Sequence, residues 1–369
     1  MEVGPSVLEL ADIEPYLRDR GLISARAVVD GGLRVTDVSR LNRVFLVTAE
    51  NERGLVVKLA DESSSVGTAR EAAVLEWLWS CGGHELTRFL PVVVEYDAQE
   101  GALILEGRFG ARDLTRHHAR GRFSCGLARQ AGRALAALHE VDPGTVAGFP
   151  SGIEPAAGPR LHKPDLDEVH ARSTAALELT EVIQRSAELC TALDELFDSW
   201  SPQSTVHGDV RWDNFLTMRG PRSNRWTELQ LIDWEHAAAG EPAVDLGAFF
   251  AEYVRAWVQS IPIVDPRAPG RLLSQARMPL SGMRPAIHAF WDAYASRCAH
   301  ATADLDFIRQ RSVRFAAVRL LSAAIEEAQT LGELEPGVLH LVPVSRNLLM
   351  HPDEASAHLL GLGTYRHAA

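Results

Sequence analysis

The stretch of sequence that decides the fold is Val206–Phe215, which reads VHGDVRWDNF. Apolar residues flank a tight polar turn, and Asp-x-x-x-x-Asn places Asp209 and Asn214 on one short loop. A second strand-like run, Leu229–Ile232, ends in another carboxylate, Asp233. Phosphoryl transfer from ATP requires one carboxylate that accepts the proton of a hydroxyl, and an amide and a second carboxylate that hold magnesium. The stretch predicts such a site, although an Asp/Asn pair also fits a plain polar turn.

The pattern continues beyond Asp233. Ile232–Glu235 reads IDWE, and Gly240–Gly247 reads GEPAVDLG, which adds the carboxylate of Asp245. The composite of HGD-x4-N, IDWE and G-x2-A-x-DLG resembles the aminoglycoside phosphotransferase (APH)-like kinase superfamily, and the resemblance covers most of residues 25–330. It implies ATP as the phosphate donor, Mg²⁺ as the metal and an alcohol group as the acceptor.

The resemblance also implies an α+β, bilobal, protein kinase-like fold, and a chain of 369 residues is long enough for two lobes. Residues 1–106 are expected to form a small β-rich N-lobe, with a leading helix, an antiparallel sheet and one helix that carries Glu71. Residues 107–369 are expected to form a larger, mostly helical C-lobe, which contains the catalytic loop 207–214 and the metal-binding Asp233.

Periodicity and turn residues place the elements within these lobes. Runs of β-branched residues between turns predict strands, and a 3.6-residue apolar period predicts helices. Strands are expected near 26–38, 43–49, 54–60, 91–96 and 102–106. Helices are expected near 6–20, 125–141, 167–199, 243–259, 273–299, 304–330 and 335–349.

Lysine is nearly absent from this arginine-rich chain, since Lys58 and Lys163 are the only two. Lys58 lies in a strand, and a compact ammonium suits a position where a point charge must reach phosphate oxygens in a tight cleft. Glu71 lies in the next helix, where such kinases carry the glutamate that pairs with the strand lysine. Glu76 is the competing partner, and a solvated helix carboxylate is the alternative for either residue.

Two further segments of the first lobe are candidates for nucleotide contact. The loop between the first two strands lacks both Gly-rich phosphate-binding patterns. It offers Ser39, Arg40 and Asn42 as donors to phosphate, and the alternative is a plain polar hairpin. Glu106 opens the segment Glu106–Gly110, which the resemblance places as the hinge whose backbone meets the adenine edge.

Composition narrows the classes of partner. A net charge of −12 argues against general nucleic-acid binding, because phosphate backbones require a basic face. No long uncharged apolar run predicts a membrane span, and the N-terminus lacks the pattern of an export signal. The four cysteines form no Cys-x-x-Cys pair and are expected to be free thiols in a reducing cytoplasm. A cytoplasmic protein is therefore expected.

The resemblance assigns roles within the loop. Asp209 would orient and deprotonate the acceptor hydroxyl, and Asp245 would accept hydrogen bonds from the loop backbone. His207 and His139 are expected to be structural histidines. Arg211 stands two residues after the base, where peptide-hydroxyl kinases carry a lysine that touches the transferred phosphate. A cation there would neutralise charge on the γ-phosphate.

Only three short segments of the sequence indicate which acceptor the protein phosphorylates. Val38–Phe45, His207–Asn214 and Glu252–Pro262 resemble the stand-alone kinases of ribosomal peptide natural-product (RiPP) pathways, of the class V lanthipeptide and thioamitide type. There the kinase phosphorylates Ser or Thr of a precursor peptide, and a separate partner lyase eliminates the phosphate. The alternatives are a kinase of a small hydroxylated metabolite or antibiotic, of the aminoglycoside or macrolide type, and a non-catalytic nucleotide-binding pseudokinase.

Overall fold

The computed structural model of the protein describes residues 8–29, 32–39, 43–49, 53–60, 65–108, 110–144, 161–220, 226–262, 276–298, 302–331 and 333–363. The chain divides into two units. The first unit contains the described residues up to Arg112 together with the segment Leu216–Ala237, so Asp233 belongs to it. The second unit contains the described residues between Asp113 and Phe215 and those from Ala238 onward.

The first unit is built on one antiparallel sheet. Its strands are β1 (Arg34–Asp37), β2 (Arg43–Thr48), β3 (Gly54–Leu59), β4 (Val93–Asp97) and β5 (Ala102–Gly107). Their order is β1-β2-β3-β5-β4, with β3 in the centre. Val57 and Leu59 of β3 join a buried cluster that includes Ile13 and Leu17 of the first helix. Because side chains alternate across a strand, Lys58 points to the opposite face of the sheet.

The described residues of the same unit form four helices and part of a second sheet. The helices are Ile13–Asp19, Ala25–Val29, Ser65–Cys81 and Gly83–Thr87. The second sheet has the order β6 (Arg112–Asp113), β8 (Phe215–Arg219) and β9 (Trp226–Leu231). The end of β9 is fixed by a hydrogen bond of 2.8 Å from the Leu231 N–H to the Phe89 carbonyl. This bond sets the position of the turn that carries Asp233.

The second unit is mainly helical. A short two-stranded sheet pairs β7 (Ser204–Val206) with β10 (Ala238–Gly240). Its helices are Leu114–His118, Cys125–His139, Leu166–Ala171, Thr174–Gln184, Ala187–Asp198, Pro242–Gln259, Leu280–Ala295, Thr302–Thr330, Pro336–Leu339, Leu341–Met350 and Pro352–Glu354, followed by a π-type segment Ala355–Leu360. The mixture of sheet and helix confirms the predicted α+β class.

The core of the second unit is formed by closely packed helices. The Pro242–Gln259 helix packs against the Thr302–Thr330 helix. Gly247 permits this approach, because a Cβ atom there would lie 2.5 Å from the Ser312 carbonyl oxygen. Phe249 stacks on Phe290 with ring centroids 4.0 Å apart. The Pro242–Gln259 helix is therefore held from two sides within its unit.

A buried ion pair fixes the beginning of that helix. The Arg311 guanidinium donates to both carboxylate oxygens of Glu241, at 2.6 and 2.7 Å. Glu241 also accepts the Ser201 N–H at 2.7 Å, and Arg311 donates to the Ser199 hydroxyl at 3.0 Å. A bidentate pair of this kind gives geometric specificity as well as energy. It ties the Thr302–Thr330 helix to the segment before β7 and to the residue that follows β10.

The strand predicted over 26–38 and the helix predicted over 167–199 are wrong in part. Ala25–Val29 is helical, and the strand begins only at Arg34. The segment 167–199 contains three helices rather than one. Ser173 and Ser186 interrupt it, because each side chain accepts a backbone N–H of the following helix as an N-cap. The 3.6-residue period continues across these caps and hides them.

Other helices are shorter than predicted. The helix expected over 273–299 runs from Leu280 to Ala295, and Pro279 precedes it in extended conformation. The helix expected over 335–349 is two helices, interrupted at His340. Every helix in the described part of the chain is too short or too polar to cross a lipid bilayer.

Candidate active site

A buried lysine on β3 lies at the centre of the first set of site residues. Lys58 Nζ donates to both carboxylate oxygens of Glu71, at 2.9 and 2.8 Å. It also forms an ion pair with Asp233. Glu71 is buried in the Ser65–Cys81 helix, whereas the competing Glu76 is exposed. The sheet, the helix and the turn after β9 thus meet at one ammonium group within the first unit.

Charge balance explains why Lys58 stays protonated. Burial alone would lower the pKa of this ammonium, but the carboxylates of Glu71 and Asp233 outweigh burial and raise the pKa above its ordinary value. Burial raises the pKa of Glu71 against the opposing effect of Lys58, and the Trp234 N–H donates to Glu71 at 3.3 Å. Lys58 is therefore a fixed positive charge.

Asp233 has an unusual backbone conformation. Its φ angle is 65°, and it is the only non-glycine residue with positive φ among the residues that the structure describes. Left-handed conformation is tolerated by aspartate but costs energy, and such residues cluster at functional sites. Its side chain is 37% exposed, while its partner Lys58 is almost fully buried. A carboxylate in this position is open to a cation from solvent.

The second set of site residues is the loop 207–214, whose backbone is hydrogen-bonded to Asp245. Asp245 is buried and accepts the N–H groups of His207 at 2.7 Å and Gly208 at 3.0 Å. This confirms the predicted contact of Asp245 with the loop backbone. Gly208 has a φ angle of 81°, which glycine adopts without strain. The turn can therefore present two adjacent N–H groups to one carboxylate.

Two histidines stabilise this arrangement, as the sequence predicts. His139 contacts Asp245 through Nε2 and the Tyr294 hydroxyl through Nδ1, each at 3.1 Å. Burial would raise the pKa of Asp245, but the bonds from His139 and the His207 N–H hold it below its ordinary value. His207 accepts the Asp209 N–H at 3.3 Å through Nδ1. Both histidines are structural residues within the second unit.

Asp209 and Asn214 lie against each other. The Asn214 side-chain nitrogen donates to the Asp209 carbonyl oxygen at 2.9 Å and to its carboxylate at 3.0 Å. Because the nitrogen faces Asp209, the amide oxygen of Asn214 is the atom available to a metal ion. These two hydrogen bonds therefore fix the candidate base and the candidate metal ligand relative to each other.

Arg211 is bound to neighbouring carboxylates. Its guanidinium contacts Asp213 at 3.2 Å and Glu326 at 3.4 Å. Burial alone would lower the pKa of Arg211, but Asp213, followed by Asp209 and Glu326, raises it. Arg211 therefore supplies a permanent cation close to the candidate base.

The other predicted nucleotide contacts are partly described. The Ser39 hydroxyl accepts the Val44 N–H at 3.0 Å, so it is engaged in the turn between β1 and β2. Arg40 and Asn42 lie outside the described residues. The Glu106 N–H donates to the Val92 carbonyl at 2.9 Å, which fixes the end of β5. These residues remain predictions for nucleotide contact.

Sequence reasoning missed the side chains that surround Trp212. Glu252 accepts the Trp212 N–H at 3.1 Å. The ring of His118 meets the Trp212 ring edge-on at 4.6 Å, and the Tyr253 ring does so at 4.9 Å. Burial, followed by the charge of His117, lowers the pKa of His118 to about 3, so this imidazole is neutral. Glu252 lies seven residues after Asp245, and this helical spacing was the available signal.

A sheet-borne lysine paired with a helix glutamate, and a His-Gly-Asp loop with Asn five residues after the Asp, define a phosphotransferase of the kinase type. A model of the phosphotransferase enzyme family (APH) matches residues 34–278, well over half of the chain. The chain therefore belongs to the APH phosphotransferase family, as its sequence motifs indicated. None of the curated proteins matches the chain.

Solved structures share the fold at low sequence identity. An ethanolamine kinase from Plasmodium vivax has a TM-score of 0.54 and 11% identity, covering 92% of this chain and 86% of that one. A choline kinase from Cryptosporidium parvum has a TM-score of 0.55 and 14% identity, covering 96% and 98%. An ADP-bound aminoglycoside phosphotransferase has a TM-score of 0.50 and 16% identity, covering 92% and 99%. These similarities confirm the kinase-like fold.

Family membership gives the class of reaction. The chain is a phosphotransferase that acts on a hydroxyl group, and ATP with Mg²⁺ is the phosphate donor of the family. The residues present fit these ligands. Lys58 is a buried permanent cation suited to phosphate oxygens, and Asp233 and Asn214 supply the hard oxygen atoms that Mg²⁺ prefers.

Proposed function

We propose that the protein phosphorylates Ser or Thr hydroxyls of a ribosomally made precursor peptide, and that a separate lyase then eliminates the phosphate. The observation that carries this proposal is the position of Arg211. This cation stands two residues after Asp209 and forms ion pairs with Asp213 and Glu326. The sequence resemblance of three segments to peptide kinases of RiPP pathways supports the same acceptor.

The proposed roles follow from the charge of each group. Lys58 binds phosphate oxygens of ATP, and Glu71 keeps its ammonium in place. The phosphates would compete with Asp233 for Lys58, which frees the Asp233 carboxylate for metal. Bound Mg²⁺ would neutralise the phosphate charge and orient the γ-phosphate. Asn214 would supply the second protein ligand through its amide oxygen.

Asp209 acts on the acceptor. As the acceptor oxygen forms its bond to the γ-phosphorus, the hydroxyl proton passes to the Asp209 carboxylate, and ADP departs with the bridging oxygen. The Asn214 side-chain nitrogen holds Asp209 through its 3.0 Å hydrogen bond. Arg211 would stabilise charge on the transferred phosphoryl group.

A small hydroxylated cation is the second candidate acceptor. Several carboxylates lie near the loop. Four of them raise the pKa of Arg211 through their charge: Asp213, Asp209, Glu326 and Glu252. Such a surface suits an amino alcohol or an aminoglycoside, and structures of similar fold include ethanolamine and choline kinases. A non-catalytic pseudokinase is disfavoured, because the candidate base, metal ligands and phosphate-binding lysine are all present.

Phosphate transfer to defined acceptors distinguishes these candidates. The enzyme is incubated with Mg²⁺-ATP and one acceptor at a time. The acceptors are the precursor peptide encoded nearest its gene, choline, ethanolamine and an aminoglycoside. We expect the peptide to gain the mass of phosphate and the small molecules to remain unchanged.

Two controls make the outcome specific. A peptide with every Ser and Thr replaced by Ala should gain no mass, and the Asp209→Asn enzyme should modify neither peptide. Phosphorylation of a small molecule with an untouched peptide would refute the peptide acceptor while leaving the phosphotransferase class intact.

A further inference from the structure

One helix of the second unit contacts the loop 207–214 at its beginning and in its middle, and also contacts the residue that follows the loop. Asp245, Phe249, Glu252 and Tyr253 follow one another at helical spacings of i, i+4, i+7 and i+8 on the Pro242–Gln259 helix. Residues at these spacings lie on one face. All four contact the loop or the residue that follows it. The loop therefore rests on a single helical face.

The contacts on this face are distributed along the loop and the residue that follows it. Asp245 accepts the N–H groups of His207 and Gly208, at the beginning of the loop. Phe249 packs edge-on against Phe215, directly after Asn214, with centroids 5.6 Å apart. Asp209 and Asn214 lie between these two points. Their separation therefore depends on how the backbone of residues 209–214 is held.

Glu252 supplies the contact that is needed in the middle. Its carboxylate accepts the Trp212 N–H at 3.1 Å. The neighbouring Tyr253 and the buried His118 clamp the Trp212 ring, at 4.9 and 4.6 Å. Both the backbone and the side chain of this residue are thus fixed by the second unit. Trp212 lies three residues after Asp209 and two before Asn214.

We infer that Glu252 is a positioning residue of the phosphotransfer reaction, which sets the separation of Asp209 and Asn214 by fixing Trp212 between them. The inference rests on the proposed roles of Asp209 and Asn214. Among the hydrogen bonds of the described residues, none joins Glu252 to Asp209 or Asn214, so it acts through the Trp212 backbone. Because the loop is short, a displacement at Trp212 is transmitted to the Asn214 amide and to its hydrogen bond with Asp209.

The charge of Glu252 is separable from its hydrogen bond. Burial raises the pKa of Glu252, against the opposing effects of the hydrogen bond from the Trp212 N–H and of the charges of Arg319 and Arg255. Replacement with glutamine removes the charge but keeps an oxygen that accepts the Trp212 N–H. Replacement with aspartate keeps the charge but shortens the side chain, so the oxygen no longer reaches the N–H.

The test compares Glu252→Ala, Glu252→Asp and Glu252→Gln with the wild-type enzyme, using steady-state phosphorylation of whichever acceptor the wild type modifies. We expect Glu252→Ala and Glu252→Asp to lower kcat by about 10²-fold, because small misplacement of reacting groups has that effect. The KM for ATP should change much less than kcat, since Lys58, Glu71 and Asp233 are untouched. Glu252→Gln should retain most of kcat.

Glu327→Ala is the matched control. Glu327 pairs with Arg255 at 3.4 Å and has no hydrogen bond to the loop among those of the described residues. Thermal unfolding is measured for every variant, and Glu252→Asp serves if Glu252→Ala does not fold. Wild-type kcat in Glu252→Asp, or an equal loss of kcat in Glu327→Ala, would overturn the inference. Absence of any wild-type activity would instead refute the proposed function.

Discussion

Replacement of Asp209 by Asn should lower kcat by roughly 10²–10⁴-fold, because the acceptor hydroxyl loses its proton acceptor. Binding of Mg²⁺-ATP should change little, since the phosphate-binding lysine is untouched. Asn retains an oxygen that can accept the Asn214 side-chain N–H, so the loop geometry should persist. Steady-state kinetics give kcat, and calorimetric titration gives the affinity for nucleotide.

A matched substitution separates this effect from a general loss of charge. Asp167 is an exposed aspartate of the same unit, on the Leu166–Ala171 helix. Asp167→Asn removes the same charge and should leave kcat near that of the wild type. If Asp209→Asn retained wild-type kcat, Asp209 could not be the base.

Replacement of Lys58 by Met should lower kcat strongly and should also destabilise the first unit. Removal of a cation that stabilises the transition state costs about 10²–10³-fold in kcat. Removing one partner of a buried ion pair costs about 3–5 kcal/mol in the free energy of unfolding, because Glu71 remains as an uncompensated buried charge. Kinetic assays and urea unfolding measure the two effects.

The double variant Lys58→Met/Glu71→Gln separates the two roles of the pair. A buried ion pair that is replaced by neutral groups of similar size often loses little stability. The introduced glutamine should keep an acceptor for the Trp234 N–H, which donates to Glu71 at 3.3 Å in the wild type. The double variant should therefore recover most of the unfolding free energy yet remain inactive. Recovery of activity together with stability would show that Lys58 has only a structural role.

The resemblance of the sequence motifs to a known family was sufficient to predict two of the contacts. Lys58 stands in a strand pattern, and Glu71 lies within the next long helix, so their pairing follows from the fold family. Asp245 was predicted in the same way, from its position after the IDWE motif. In each case the resemblance supplied the contact, and the residue type at the matching position agreed with it.

Contacts that arise from packing were harder to predict. Glu252 looks like an ordinary residue of an amphipathic helix, and only the position of Trp212 gives it a partner. The serine caps at Ser173 and Ser186 were missed because a hydroxyl hydrogen bond leaves the apolar period unchanged. Asp233 was recognised as a carboxylate after a strand, but its positive φ and its ion pair with Lys58 required coordinates.

We propose that Lys58 and Asp233 bind a magnesium nucleotide. Calorimetric titration of ATP into the wild-type protein, with Mg²⁺ and then with the metal chelated, tests this claim most directly. We predict saturable binding that weakens by more than about tenfold when Mg²⁺ is removed, or when Asp233→Asn removes the carboxylate that would hold it. Equal ATP affinity in all three titrations, or no binding in any of them, would contradict the assignment.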